Sequence, residues 1–170
     1  MLVYLIRHAE AVSAQELPGD DAARSLTAEG KEQARRAGYW LRRLGIALDA
    51  VYTSPLLRAQ QTAEVLYQAL AASADRVPIV ECPALAPGGK PKQVAKFLRK
   101  QPLTQVALIG HEPDLGRLTG WWIGSRKLRC VYAKAGIGCI QFDGAPDKGA
   151  GTLLWLARPE WMTLAVGPPQ

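Results

Sequence analysis

Short, mostly apolar runs alternate along this chain with longer segments whose apolar residues recur every three or four positions. Leu2–Ile6, Ala50–Thr53, Val77–Glu81 and Gln105–Ile109 are of the first kind. Apolar residues throughout a run of this length predict strands covered on both faces, as in a parallel sheet. Between them, Ala34, Ala37, Leu41 and Leu44 make one helical stripe, with Thr27 as N-cap, Glu29 in the first turn and Gly45 as the C-terminal stop. A second helix is predicted from Ser54 as N-cap and Pro55 in the first turn to about Leu70, with Leu57, Ala63, Leu66 and Leu70 facing the core. Further helices are expected over Pro91–Lys100 and Pro113–Trp122, an antiparallel pair over Ile137–Phe142 and Thr152–Ala157, and a short helix and tail from Pro159. Alternation of this kind predicts an α/β fold. The expectation is a three-layer α/β/α sandwich whose mostly parallel central sheet carries an antiparallel strand, in one domain over residues 1–170.

Composition narrows the class. The chain has 170 residues, 48% hydrophobic and 21% charged, enough for one domain with a real core. No apolar run approaches the roughly 18 residues of a membrane span, and Leu2–Ile6 lacks the length and basic flank of a signal peptide. Three cysteines, Cys82, Cys130 and Cys139, show no ligand spacing and fit a reducing compartment, so a cytoplasmic location is expected. With two histidines in the whole chain a His-rich metal site is excluded, and no acidic cluster suggests a carboxylate-based one. The net charge of +6 favours anionic partners. The basic residues are dispersed, and the densest group, Lys90, Lys92, Lys96, Arg99 and Lys100, has the spacing of a wet helix face; nucleic acid is not expected as a partner.

The chemistry gathers where strands end. Strand one runs into Arg7-His8, strand two leads through Ser54-Pro55 to Arg58, and strand four runs into His111. Loops at the carboxyl ends of parallel strands share one crevice. There a neutral imidazole can attack phosphorus while arginine forks hold phosphoryl oxygens.

Three motifs, Leu5-Ile6-Arg7-His8-Ala9-Glu10, the stretch Ser54-Pro55-Leu56-Leu57-Arg58-Ala59-Gln60-Gln61-Thr62-Ala63, and Ile109-Gly110-His111-Glu112-Pro113, together resemble the histidine phosphatase superfamily, the phosphoglycerate-mutase-like fold. The resemblance spans roughly Met1 to Phe142. It implies that His8 is the histidine that becomes phosphorylated, that Arg7, Arg58 and His111 hold the phosphoryl oxygens, and that no metal or organic cofactor is used. Only 52 residues separate Arg58 from His111, too few for the helical lid of larger members, so the chain looks like the short bacterial SixA-type phosphohistidine phosphatases. Asp20–Thr27 also resembles that subgroup, and Arg24 is either a further phosphate ligand at the rim or a solvated loop charge. The implied substrate is a phosphohistidine-bearing signalling or phosphotransfer protein, with inorganic phosphate as product. A small phosphate ester is the alternative, as is a weakly catalytic phosphoprotein-binding module.

Two departures from the family pattern matter. Ala9 stands where many members have glycine, so the backbone there must avoid positive φ. The loop Cys82–Gly89 has no carboxylate where the superfamily usually places its proton donor, which leaves Glu81 and Glu10 as donor candidates. An imidazole leaving group, with a reference pKa near 6.5, needs such an acid far less than an alkoxide does. Elsewhere, Trp121-Trp122 reads as one ring packed under the sheet or as a docking patch. Trp40, Trp155 and Trp161 read as core or rim, the cysteines as core, and Lys134 as a hairpin lysine. Glu112 and Asp114 read as acids at a helix start.

Overall fold

The computed structural model describes residues 1–71, 77–125 and 127–164. Six strands form one sheet: β1 (Leu2–Arg7), β2 (Ala50–Thr53), β3 (Ile79–Glu81), β4 (Gln105–Gly110), β5 (Ile137–Phe142) and β6 (Gly151–Ala157), in the order β3-β2-β4-β1-β5-β6. All neighbours are parallel except at β5, which runs antiparallel to both β1 and β6. Five α-helices accompany the sheet: α1 (Ala28–Arg43), α2 (Leu57–Leu70), α3 (Pro91–Leu98), α4 (Asp114–Trp122) and α5 (Pro159–Leu164).

Strand side chains alternate between faces, and the two faces build two cores. Tyr4, Ile6, Val51 and Ile109 meet Ala37 and Leu41 of α1, Ala63 and Leu66 of α2 and Met162 of α5. Val3, Leu5, Tyr52 and Leu108 meet Val94 and Leu98 of α3 and Leu115, Leu118 and Trp122 of α4. This is the expected three-layer α/β/α arrangement, and burial on both faces is why β1 and β4 read as unbroken apolar runs.

Local signals hold where the chain's own chemistry decides them. The Thr27 hydroxyl accepts from the Gly30 amide at 3.0 Å, and Gly45 follows the end of α1 at φ 69°. Ala9 is fully buried, and among the described residues the only non-glycine with positive φ is Ala135, at 57°.

Five expectations fail: the strand read over Val77–Glu81 as covered on both faces is β3, three residues at the sheet edge, all exposed. Leu44 is the C-cap residue of α1, beyond its last helical turn, and is half exposed. Leu57 opens α2 only partly buried. Trp161 is 57% exposed. Ser54 does not cap α2, whose N-cap is Leu56; its hydroxyl accepts from the Leu56 amide at 3.4 Å and lies 2.8 Å from His111 Nε2. Of the tryptophan pair, Trp122 is fully buried against Phe142, and Trp121 is half-buried. Cys82 and Cys139 are buried, and Cys130 is half-buried. No helix among the described residues is long and apolar enough to cross a membrane.

Candidate active site

β2, β4 and β1 are consecutive in the sheet, so their carboxyl ends deliver their loops side by side. Hydrogen bonds continue past the strands: the His8 amide donates to Gly110 O at 3.0 Å, and the Ser54 amide donates to Ile109 O at 2.9 Å. These bonds bring His8, Ser54 and His111 together. The two imidazoles lie with ring centroids 5.0 Å apart, tilted by 53°.

His8 is 8% exposed, and its Nδ1 stands 2.7 Å from Ala9 O. A carbonyl oxygen only accepts, so Nδ1 carries the proton, and in the neutral ring Nε2 keeps a free lone pair. Burial pulls the His8 pKa down to about 4; the Ala9 hydrogen bond opposes this, and Arg58, Arg7 and Arg24 add to it. His111, 3% exposed, is pulled down to about 3, chiefly by burial and then by His8 and Arg58. Its Nε2 lies 2.8 Å from Ser54 Oγ.

The arginines are held by main chain. Arg7 Nη1 donates to Tyr132 O at 2.8 Å. Arg58, 4% exposed, donates through Nη1 to Asp21 O at 2.6 Å and through Nη2 to Asp21 Oδ2 at 3.0 Å. Arg24 reaches the other oxygen of the same carboxylate, with Nε at 2.9 Å and Nη2 at 2.6 Å, and donates to Val12 O. Asp21 thus bridges Arg24 and Arg58, whose hydrogen bonds hold its carboxyl below the usual range.

The middle motif explains itself on α2. Residues 58, 61 and 62 share a helix face. Thr62 Oγ1 accepts from the Ala9 amide at 3.0 Å and donates to Arg58 O, while Gln61 Oε1 accepts from the Leu26 amide at 2.7 Å. The helix that carries Arg58 therefore also pins the loop that carries His8.

Among the described residues, four buried side-chain polar atoms have no hydrogen-bond partner, and three belong here: Arg7 Nε, Arg58 Nε and His111 Nδ1. Buried polar atoms are otherwise almost always paired. Their concentration marks a place where a ligand's acceptors and donors are expected.

The two carboxylates expected as proton donors lie at the margins. Glu81, at the exposed end of β3, accepts from Gln60 Nε2 at 3.3 Å, and Glu10 stands 3.7 Å from Lys134 Nζ. Neither forms a hydrogen bond with His8 or His111 among the described residues. Glu112 keeps its expected place at the start of α4, where it accepts from the Gly116 amide; its Oε1 also accepts from the Tyr132 amide at 2.7 Å, and burial raises its pKa. Since Tyr132 O holds Arg7, Glu112 steadies an arginine across one peptide unit. Asp21, Ser54, Thr62, Glu112 and Tyr132 were not legible as site residues. Only the four-residue spacing of Arg58 and Thr62 hinted at one of them. No group of three or more His, Cys, Asp or Glu among the described residues is arranged to hold a metal ion.

The sheet, the strand-end loops and the paired imidazoles define a class. The profile of the histidine phosphatase superfamily (branch 1) matches residues 3–86. The chain is 27% identical over 164 residues to the phosphohistidine phosphatase SixA of Escherichia coli K12, covering 94% of each chain. It is 29% identical over 174 residues to an uncharacterized protein of Picosynechococcus, covering 95% of this chain and 99% of that one. A solved structure of the protein histidine phosphatase SixA complexed with tungstate superposes with a TM-score of 0.82 at 25% identity, over 95% of this chain and 99% of that one.

Proposed function

We propose that this protein is a phosphohistidine phosphatase that works through a phosphorylated His8 and acts on a phosphohistidine-bearing signalling or phosphotransfer protein in the cytoplasm. The observation that carries the reading is the state of His8: a neutral imidazole, its Nδ1–H tied to Ala9 O and its Nε2 lone pair free, beside buried guanidiniums. Arg7 Nε, Arg58 Nε and His111 Nδ1 supply hydrogen-bonding atoms for phosphoryl oxygens, and Arg24 stands behind them through Asp21. That the SixA relative was solved complexed with tungstate, a tetrahedral oxyanion, supports an oxyanion as the bound group.

In the first step His8 Nε2 forms a bond to phosphorus as the bond from phosphorus to the substrate imidazole breaks, and that imidazole takes up a proton. In the second step water attacks phosphorus, the bond to Nε2 breaks and inorganic phosphate leaves. Positioned cationic donors supply most of the catalysis in phosphoryl transfer. An imidazole leaves with little help, so water suffices as its proton source. An alkyl ester would require Glu10 or Glu81 to reach inward.

Phosphate release from a phosphohistidine peptide, phosphoserine and phosphotyrosine peptides and a sugar phosphate tests this. The expected result is preference for phosphohistidine, lost by at least about a hundredfold in His8→Ala. Equal or faster turnover of the sugar phosphate would overturn the substrate assignment. Unchanged turnover in His8→Ala would overturn the mechanism.

A further inference from the structure

A groove of about 1030 Å³ lies along α4, lined at the helix start by Glu112 and Pro113, the two residues that follow His111. Small residues let its walls come together. Gly116 and Gly120 leave α4 bare where the chain approaches it: a methyl group on Gly116 would collide with Cys130 O, and one on Gly120 would stand 3.0 Å from Ser125 O. The groove shares its walls with the site. Glu112, which follows His111 and holds the Tyr132 amide, lines one end. Val131, next to the residue whose carbonyl holds Arg7, is 73% exposed there.

The lining joins apolar surface to one sign of charge. Trp121, Leu128 and Val131 offer apolar area, with Leu128 36% and Val131 73% exposed. Lys127, Arg129 and Lys148 ring it. No carboxylate among the described residues pairs with these three, whereas Arg117 is already paired with Asp114 at 3.0 Å. The one acid in the lining, Glu112, is committed to Tyr132.

We propose that this groove docks an acidic segment of the protein substrate, its carboxylates on Lys127, Arg129 and Lys148 and its apolar side chains on Trp121, Leu128 and Val131. This rests on the reading of a phosphoprotein substrate. It adds the chemistry by which that substrate is chosen and the direction from which its phosphohistidine reaches His8. Complementary charge sets encounter rate and selects among partners, and it weakens with salt.

Fluorescence anisotropy with a labelled peptide of Asp and Glu, carrying Leu at every third or fourth position, tests the groove without turnover. Wild type is expected to bind it at least about tenfold more tightly than the triple variant Lys127→Glu, Arg129→Glu, Lys148→Glu, and Val131→Ser to fall between them. These side chains are exposed, and an unchanged melting curve confirms that the variants fold. Equal affinity of wild type and the triple variant, or equal binding of a peptide with Gln and Asn in place of the acids, would overturn the proposal. A second arm measures hydrolysis of the acidic peptide carrying phosphohistidine against free phosphohistidine. The triple variant should show a raised KM for the peptide alone. Acidic-peptide binding in a protein that hydrolyses neither substrate would uphold the groove and overturn the function proposed above.

Discussion

His8 and His111 are held as neutral rings in a pocket of guanidiniums, and folding is what forbids their charge. In the unfolded chain each has an ordinary pKa near 6.5; in the fold they fall to about 4 and about 3. As pH drops from about 6.5 toward 4, the unfolded chain binds protons that the folded chain refuses, so stability must fall. Below the folded values both states are protonated and this loss stops growing. NMR titration of the two imidazoles is expected to show both neutral at pH 5.5. The melting temperature should decline between about pH 6.5 and 4, less steeply in His111→Gln. A midpoint near 6.5 for both rings would contradict the burial argument. The histidines and Arg58 were legible because strand-to-loop transitions announce themselves in one short stretch. Asp21 and Tyr132 were not: the pairs Arg58–Asp21 and Arg7–Tyr132 span 37 and 125 residues of chain. Ser54 was misread because a serine before proline looks like a helix cap, and only the fold reveals a buried histidine competing for its hydroxyl.

Helix α1 packs against α2 at Gly38, where a methyl group would meet Leu66 O and stand 2.8 Å from Ala69 Cβ. Both atoms belong to the helix that carries Arg58 and Thr62. Gly38→Ala should therefore cost about 1–3 kcal/mol through overpacking, visible as about 2–4 °C of melting temperature per kcal/mol. Gly144→Ala, with open space around the added methyl, should leave it nearly unchanged. If the two substitutions behaved alike, close helix approach would not be what Gly38 provides. At this scale the chain was read well where one periodicity ruled, as at Thr27, Ala34, Ala37, Leu41 and Gly45. It was read poorly at the ends of elements, where Leu44 and Leu57 keep the right spacing but sit at a helix terminus and stay partly exposed.

At the scale of the molecule the six strands and five α-helices among the described residues were nearly all read, because each buried strand is apolar on both faces and each helix on one. Strand order was the part beyond reach, since pairing between β1 and β4 joins segments about a hundred residues apart and leaves no local mark. That order has a dynamic consequence. The strands that end in Arg7, Thr53 and Gly110 are all interior, each flanked by a partner on both sides, while the edges are β3, whose three residues are exposed, and β6. Local opening begins where few contacts hold the backbone. Amide exchange is thus expected first in β3 and last in β1 and β4, at rates set by global unfolding. Fraying of either margin would leave the nucleophile in register, and loss of activity in denaturant should coincide with collapse of the whole sheet rather than precede it.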